Sequence, residues 1–296
     1  MTTRWRALLT GGVVVATMAL IGAGCDLLPS PNGPAPLRYR DAIFSSVSTT
    51  TNIQYGSAVN QSNQTQALLL DLYQPVGDTV TSRPAIVWVH GGSFTSGDKS
   101  EVDLVDEANV FSKEGYVNVS INYRLGPGCS FANPTASCIQ SIFDAQHDAQ
   151  AAVRWLRANA STYHVDPNRI AIGGSSAGAI TALQVAYNPT DVGTSGNPGF
   201  SSAVEAAQSI SGTALPPNLP KPGAPPTVDF HGTADPLVPY SLGQQTVNNA
   251  VAVGDFSVLE TFPGAGHVPY AQFRSQILQQ TSNLFYFAMD LSHAAQ

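Results

Sequence analysis

The chain has 296 residues, 43% of them hydrophobic, which is enough apolar content for one sizeable core. Its formal charge is −7 and only 11% of residues are charged, with no basic runs, which argues against nucleic acid as a partner. The 26 glycines and 21 prolines point to many turns between packed elements rather than to disorder.

Residues 1–25 read as an export segment, with Arg4 and Arg6 ahead of an uncharged stretch from Ala7 to Gly24. Ile21-Gly22-Ala23-Gly24-Cys25 resembles a bacterial lipobox, which implies a lipid on Cys25 and membrane attachment. Gly22 stands where a larger aliphatic residue is usual. Plain secretion and an uncleaved anchor are the alternatives, and all three are exported. The Pro-rich residues 26–40 read as a tether outside the fold, leaving 41–296 as one domain. With Cys25 set aside, Cys129 and Cys138 remain as an even pair in one Gly/Pro/Asn loop. An oxidising compartment would bridge them; two buried thiols are the other reading.

Residues 41–83 read as antiparallel strands, the last over 67–73. Strands and helices then alternate: strand 85–89, helix 102–113, strand 116–121, helix 141–160, strand 169–173 and helix 179–187. Strands 207–210 and 227–230, helix 242–251, strand 257–261 and a closing helix over 270–292 complete the series. Such alternation predicts an α/β fold, with a mainly parallel sheet covered on both faces. Loops 188–202 and 213–226, the second with six prolines, are too short for a helical lid, so the cleft is expected to be open.

Gly174-Ser175-Ser176-Ala177-Gly178 reads G-x-S-x-G between an apolar strand and a helix-forming run, the context of a nucleophile elbow. The flanking positions must be small because a sharp turn brings backbone close. A serine hydroxyl needs a base to take its proton and a third group to orient that base. In this pattern the order is serine, acid, histidine. His267 follows strand 257–261 on the Gly-rich loop Pro263-Gly264-Ala265-Gly266, and Asp235 occupies the turn beyond the strand that ends at His231. Asp255 precedes its strand, at the wrong sheet end, and Asp229 lies inside a strand, so Asp235 is the preferred acid. His90-Gly91-Gly92-Ser93-Phe94 corresponds to an HGGG-type loop whose amides complete an oxyanion hole, with Ser93 replacing the third glycine.

With these pieces the chain resembles the α/β-hydrolase-fold carboxylesterases, near the hormone-sensitive-lipase-like and small carbohydrate-esterase branches. The resemblance covers most of the chain after about residue 66, including Leu70-Asp71-Leu72-Tyr73-Gln74-Pro75 and Val165-Asp166-Pro167-Asn168-Arg169-Ile170. It implies an oxyanion hole from the amides of Gly92, Ser93 and Ala177, with Gly91 close by, and no cofactor. It implies a serine esterase acting on small acyl or aryl esters, or on acetyl or feruloyl groups of polysaccharide. A non-catalytic exported binding protein on the same scaffold is the reading from another class.

The remaining residues read as structural. His90 and His231 flank tight Gly turns, and His147, His164 and His293 are too dispersed to suggest a metal site. Tyr123-Arg124 reads as a buried anchor, with Asp148 the expected partner of Arg124. Phe94, Phe131, Leu237, Val268 and Tyr270 could line an acyl pocket or simply pack.

Overall fold

Strand β3 (Arg83–Val89) is buried from end to end, and its alternating side chains feed two separate cores. Ala85, Val87 and Val89 point to one face, while Ile86 and Trp88 point to the other. The computed structural model describes residues 27–127, 129 and 134–295. Cys25 and Phe131 therefore lie outside the described residues.

Around β3 stand β1 (Val47–Val59), β2 (Thr65–Pro75), β4 (Val117–Ile121), β5 (Val165–Ser175), β6 (Ala206–Ile210), β7 (Thr227–Gly232) and β8 (Ser257–Phe262). They form one sheet in the order β1-β2-β4-β3-β5-β6-β7-β8. The pairs β1–β2 and β2–β4 are antiparallel and every later pair is parallel. This is the α/β-hydrolase fold expected from the sequence.

The helices are α1 (Val102–Glu114), α2 (Ala136–Ala158), α3 (Ala160–Tyr163), α4 (Ala177–Tyr187), α5 (Tyr240–Ala252) and α6 (Tyr270–Ala288). One face of the sheet packs on α2 and α4 through Ala145, Ala149, Val153, Ile180 and Val185. The other packs on α1 and α6, where Trp88, Phe111 and Phe285 form a ring cluster. Gly115 ends α1 in the left-handed region, φ 111°, and its N–H returns to Phe111 and Ser112 carbonyls. Thr135 caps α2 by accepting from the Cys138 amide at 3.1 Å. Cys129 and Cys138 are joined in a disulfide nine residues apart.

One reading needs correction. The stretch read as a tether packs onto the domain instead of hanging from it. Leu28 is 5% exposed, its amide donates to Gln280 and its carbonyl accepts from Asn283, both on α6. Tyr39 is fully buried, edge-on to Tyr116, and its carbonyl accepts from the Tyr116 hydroxyl at 2.9 Å. Burying Leu28 and Tyr39, with their backbone groups satisfied, outweighs the extended preference of the neighbouring prolines. Leu28 and Tyr39 are therefore part of the packed fold, ahead of residue 41.

Candidate active site

The sequence places a functional loop after the carboxyl end of each of four parallel strands: β3, β5, β7 and β8. In an open α/β sheet that edge is where ligands bind. Ser176 sits between β5 and α4 with φ 54° and ψ −118°, a conformation that costs a non-Gly residue on the order of 1–3 kcal/mol. Its amide donates to the Ile210 carbonyl at 2.8 Å, which anchors the turn to β6. The glycines answer a packing demand: a Cβ on Gly174 or Gly178 would collide with the Val89 carbonyl at the end of β3.

His267 Nε2 lies 2.8 Å from Ser176 Oγ, and His267 Nδ1 lies 2.8 Å from Asp235 Oδ2. Serine, imidazole and carboxylate thus form one hydrogen-bonded row. Asp235 Oδ1 accepts from the Leu237 and Val238 amides, at 2.9 and 3.0 Å. Burial alone would raise Asp235, but hydrogen bonds from His231, His267 and the Leu237 amide outweigh it and hold its pKa well below the usual carboxylate range. Asp255, the rejected acid, instead accepts from the Gly223 amide at 2.7 Å.

The two loops that carry acid and base are laced together. Ala234 N–H donates to Ala265 O, Thr233 N–H to Phe262 O, and Gly264 N–H to Thr233 Oγ1. Gly232 has no side chain because the backbone of Ala265 and Gly266 crosses directly over it. Beyond His267, the Val268 amide donates to buried Ser211 Oγ at 3.0 Å. Ser211 as a clamp on the histidine loop gave no signal in the sequence.

The loop after β3 lies against the elbow, since a Cβ on Gly91 would sit 3.3 Å from Ser176 Cβ. Gly92, Ser93 and Phe94 all have positive φ, at 100°, 54° and 62°. Among the described residues no hydrogen bond joins the amides of Gly92, Ser93 or Ala177 to a protein acceptor. The Ala177 amide opens α4, where the helix supplies no partner. Burial and the Asp103 carboxylate raise the pKa of Glu101, and the Gly91 backbone opposes that rise. Tyr123 braces the loop, its hydroxyl 3.2 and 3.1 Å from the His90 and Gly91 carbonyls and its ring stacked on His90. Burial lowers the pKa of His90, whose Nδ1 lies 2.7 Å from Gly91 O.

The expected pocket residues divide. Leu237 is 59% exposed and Val268 half-buried, while Phe94 is buried against Tyr123 and Tyr270 turns away to donate to Asp106 at 2.6 Å. Arg124 pairs with Asp148 at 2.8 Å, as the anchor reading expected. Among the described residues no cluster of His, Cys, Asp or Glu is arranged to hold a metal ion.

A Gly-flanked serine sits on a strand–helix turn, and an imidazole and a carboxylate reach it from later loops of the same sheet edge, the arrangement that serine hydrolysis requires. The chain has the α/β-hydrolase fold and is similar in sequence to esterases. Residues 70–208 match the family model BD-FAE. A phenmedipham hydrolase from Pseudarthrobacter oxydans is 34% identical over 123 residues, 41% of this chain and 23% of that protein. A chlorogenic acid esterase from Aspergillus niger is 27% identical over 141 residues, 46% of this chain and 27% of that protein. The chain thus spans about a quarter of the length of the curated relatives it matches. Among solved structures, Thermogutta terrifontis esterase 2 phosphorylated by paraoxon superposes with a TM-score of 0.67 at 23% identity, covering 88% of this chain and all of that one. The butyrate-bound form of the same esterase gives 0.64 at 22% identity, over 81% and 96%.

Proposed function

We propose that the protein is a serine esterase that hydrolyses short-chain acyl or aryl carboxylic esters through an acyl-enzyme. The observation that carries this reading is the row Ser176–His267–Asp235, with 2.8 Å at each step. Ser176 Oγ attacks the ester carbonyl as His267 Nε2 takes its proton, and Asp235 holds the imidazole in the tautomer that can accept it. The tetrahedral oxyanion is met by the amides of Gly92, Ser93 and Ala177, each such donor worth about 3 kcal/mol. His267 then protonates the leaving alcohol, and water repeats the cycle on the acyl-enzyme.

A polysaccharide-directed acetyl or feruloyl esterase is the second reading, favoured by the match to a relative named for chlorogenic acid. The half-buried Ser176 and the exposed Leu237 beside the acid loop support an accessible cleft for either class. A binding protein without turnover is disfavoured by a strained serine kept in hydrogen-bonding reach of its base. The test is a panel of p-nitrophenyl acetate to long-chain esters, methyl ferulate and acetylated xylan, run on wild type and Ser176→Ala. Turnover in wild type and none in the variant supports the reading; equal rates sink it. Export with a lipid on Cys25 is supported by the residues of the leader alone, and the mass of the amino-terminal peptide from cell membranes tests it.

A further inference from the structure

His231 lies behind the acid, at the end of β7, and is 0% exposed. Both of its ring nitrogens face acceptors. Nδ1 is 3.3 Å from Asp229 Oδ2, and Nε2 is 3.0 Å from the Val238 carbonyl and 3.5 Å from Asp235 Oδ2. A carbonyl and an ionised carboxylate only accept, and a neutral imidazole carries a single N–H. Only the doubly protonated ring satisfies both sides. The other oxygen of Asp229, Oδ1, accepts from Ser209 Oγ at 2.6 Å.

The site is closed from the helix side. A Cβ on Gly243 of α5 would lie 2.6 Å from both Asp229 Oδ2 and His231 Nδ1. The Tyr240 ring stands perpendicular to His231 at 5.8 Å between centroids. The titratable groups around the ring are therefore Asp229 on β7, Asp235 on the following loop and Tyr240 on α5, with His267 reached through Asp235. Resting on the serine-hydrolase reading above, we infer that His231 is a positioning residue, a buried imidazolium that holds Asp235 between two rings and tempers its pull on His267. Burial opposes charge on His231, but hydrogen bonds to Asp229 and Asp235 outweigh it and raise its pKa to about 10. A resident cation beside Asp235 offsets part of the field that this carboxylate exerts at His267.

The test has two parts. In wild type, 15N–1H spectra of histidine-labelled protein at about pH 8 should show N–H protons on both nitrogens of His231, above the ordinary range for histidine. A singly protonated ring overturns the inference. This readout stands whether or not any ester is turned over, so it separates from the esterase reading. In His231→Gln and, independently, Asp229→Asn, the acid limb of the kcat/KM profile should move to higher pH by about half a unit or more. The kcat should fall about tenfold while KM stays within about twofold, as expected when orientation rather than ground-state binding is lost. Asp229→Asn keeps the ring in place and serves if His231→Gln does not fold. Folded variants whose acid limb matches wild type overturn the inference.

Discussion

Gly178, the second residue of the helix after Ser176, has its Cα so close to the Val89 carbonyl that no side chain fits between them. The same contact brings the end of β3, and so the loop that follows it, against the elbow. Substituting Gly178→Ala should push β3 and α4 apart and shift the amides of Gly92 and Ser93. Overpacking of this kind costs about 1–3 kcal/mol. Urea unfolding should report that loss, and kcat should fall by about a hundredfold, the scale of one misplaced oxyanion donor.

Ser176 is held at φ 54°, ψ −118°, so part of the fold's stability is spent on the nucleophile's pose. Two inactive variants separate the contributions. Ser176→Ala keeps the strain and loses the hydrogen bond to His267, whereas Ser176→Gly also relieves the strain. Relief of about 1–3 kcal/mol exceeds the backbone-entropy cost of glycine, about 0.5–1 kcal/mol. Differential scanning calorimetry should therefore place Ser176→Gly above Ser176→Ala in Tm. The reverse order would mean that the elbow carries no strain.

Glu114 gives a pH prediction. Burial pushes its pKa up to about 8, against a weak hydrogen bond from Ser282 Oγ at 3.4 Å. A carboxyl raised in the folded state favours folding while it keeps its proton. Its contribution is complete below the unfolded value of about 4.3 and is lost as pH rises toward the folded value. Glu114→Gln removes that dependence. The Tm of the variant relative to wild type should climb by a few degrees, as an order-of-magnitude figure, between about pH 5 and pH 8. A flat difference would show that Glu114 is charged throughout.

The Cys129–Cys138 bridge joins residues nine apart in sequence and starts three residues after Gly126, whose amide donates to Phe94 O at 2.8 Å. Loop-closure entropy for about ten residues corresponds to about 2.7 kcal/mol. Replacing both cysteines with serine should lower unfolding free energy by up to that amount. The folded, unreduced protein should show neither thiol to a thiol reagent.

The elbow, the acid turn and the base loop were legible because each demands unusual local residues: glycines beside Ser176, a Gly-rich run before His267, a turn carboxylate after β7. The strand–helix alternation was legible for the same reason, as buried parallel strands read as short apolar runs. What escaped depends on contacts across the chain. Leu28 meets α6 some 250 residues away, and nothing in a Pro-rich stretch announces that docking. His231 is the exception: its partners Asp229, Asp235 and Val238 lie within seven residues, and only the turn of its ring into them was hidden. Strand β5 begins at Val165 rather than 169 because the register with β3 shifts around Pro167 and Asn168, a break that looks like loop in one dimension. Phe94 and Tyr270 have the composition of pocket residues, but their direction is set by Tyr123 and Asp106, which lie on other elements.

The central claim is that Ser176 is the one hydroxyl activated by His267. Incubation with an organophosphate such as paraoxon, followed by peptide mass spectrometry and residual p-nitrophenyl butyrate hydrolysis, tests it most directly. The account predicts one phosphoryl group per chain, on Ser176, with activity lost in proportion to labelling. Label on another serine, or activity that survives full modification of Ser176, would contradict it.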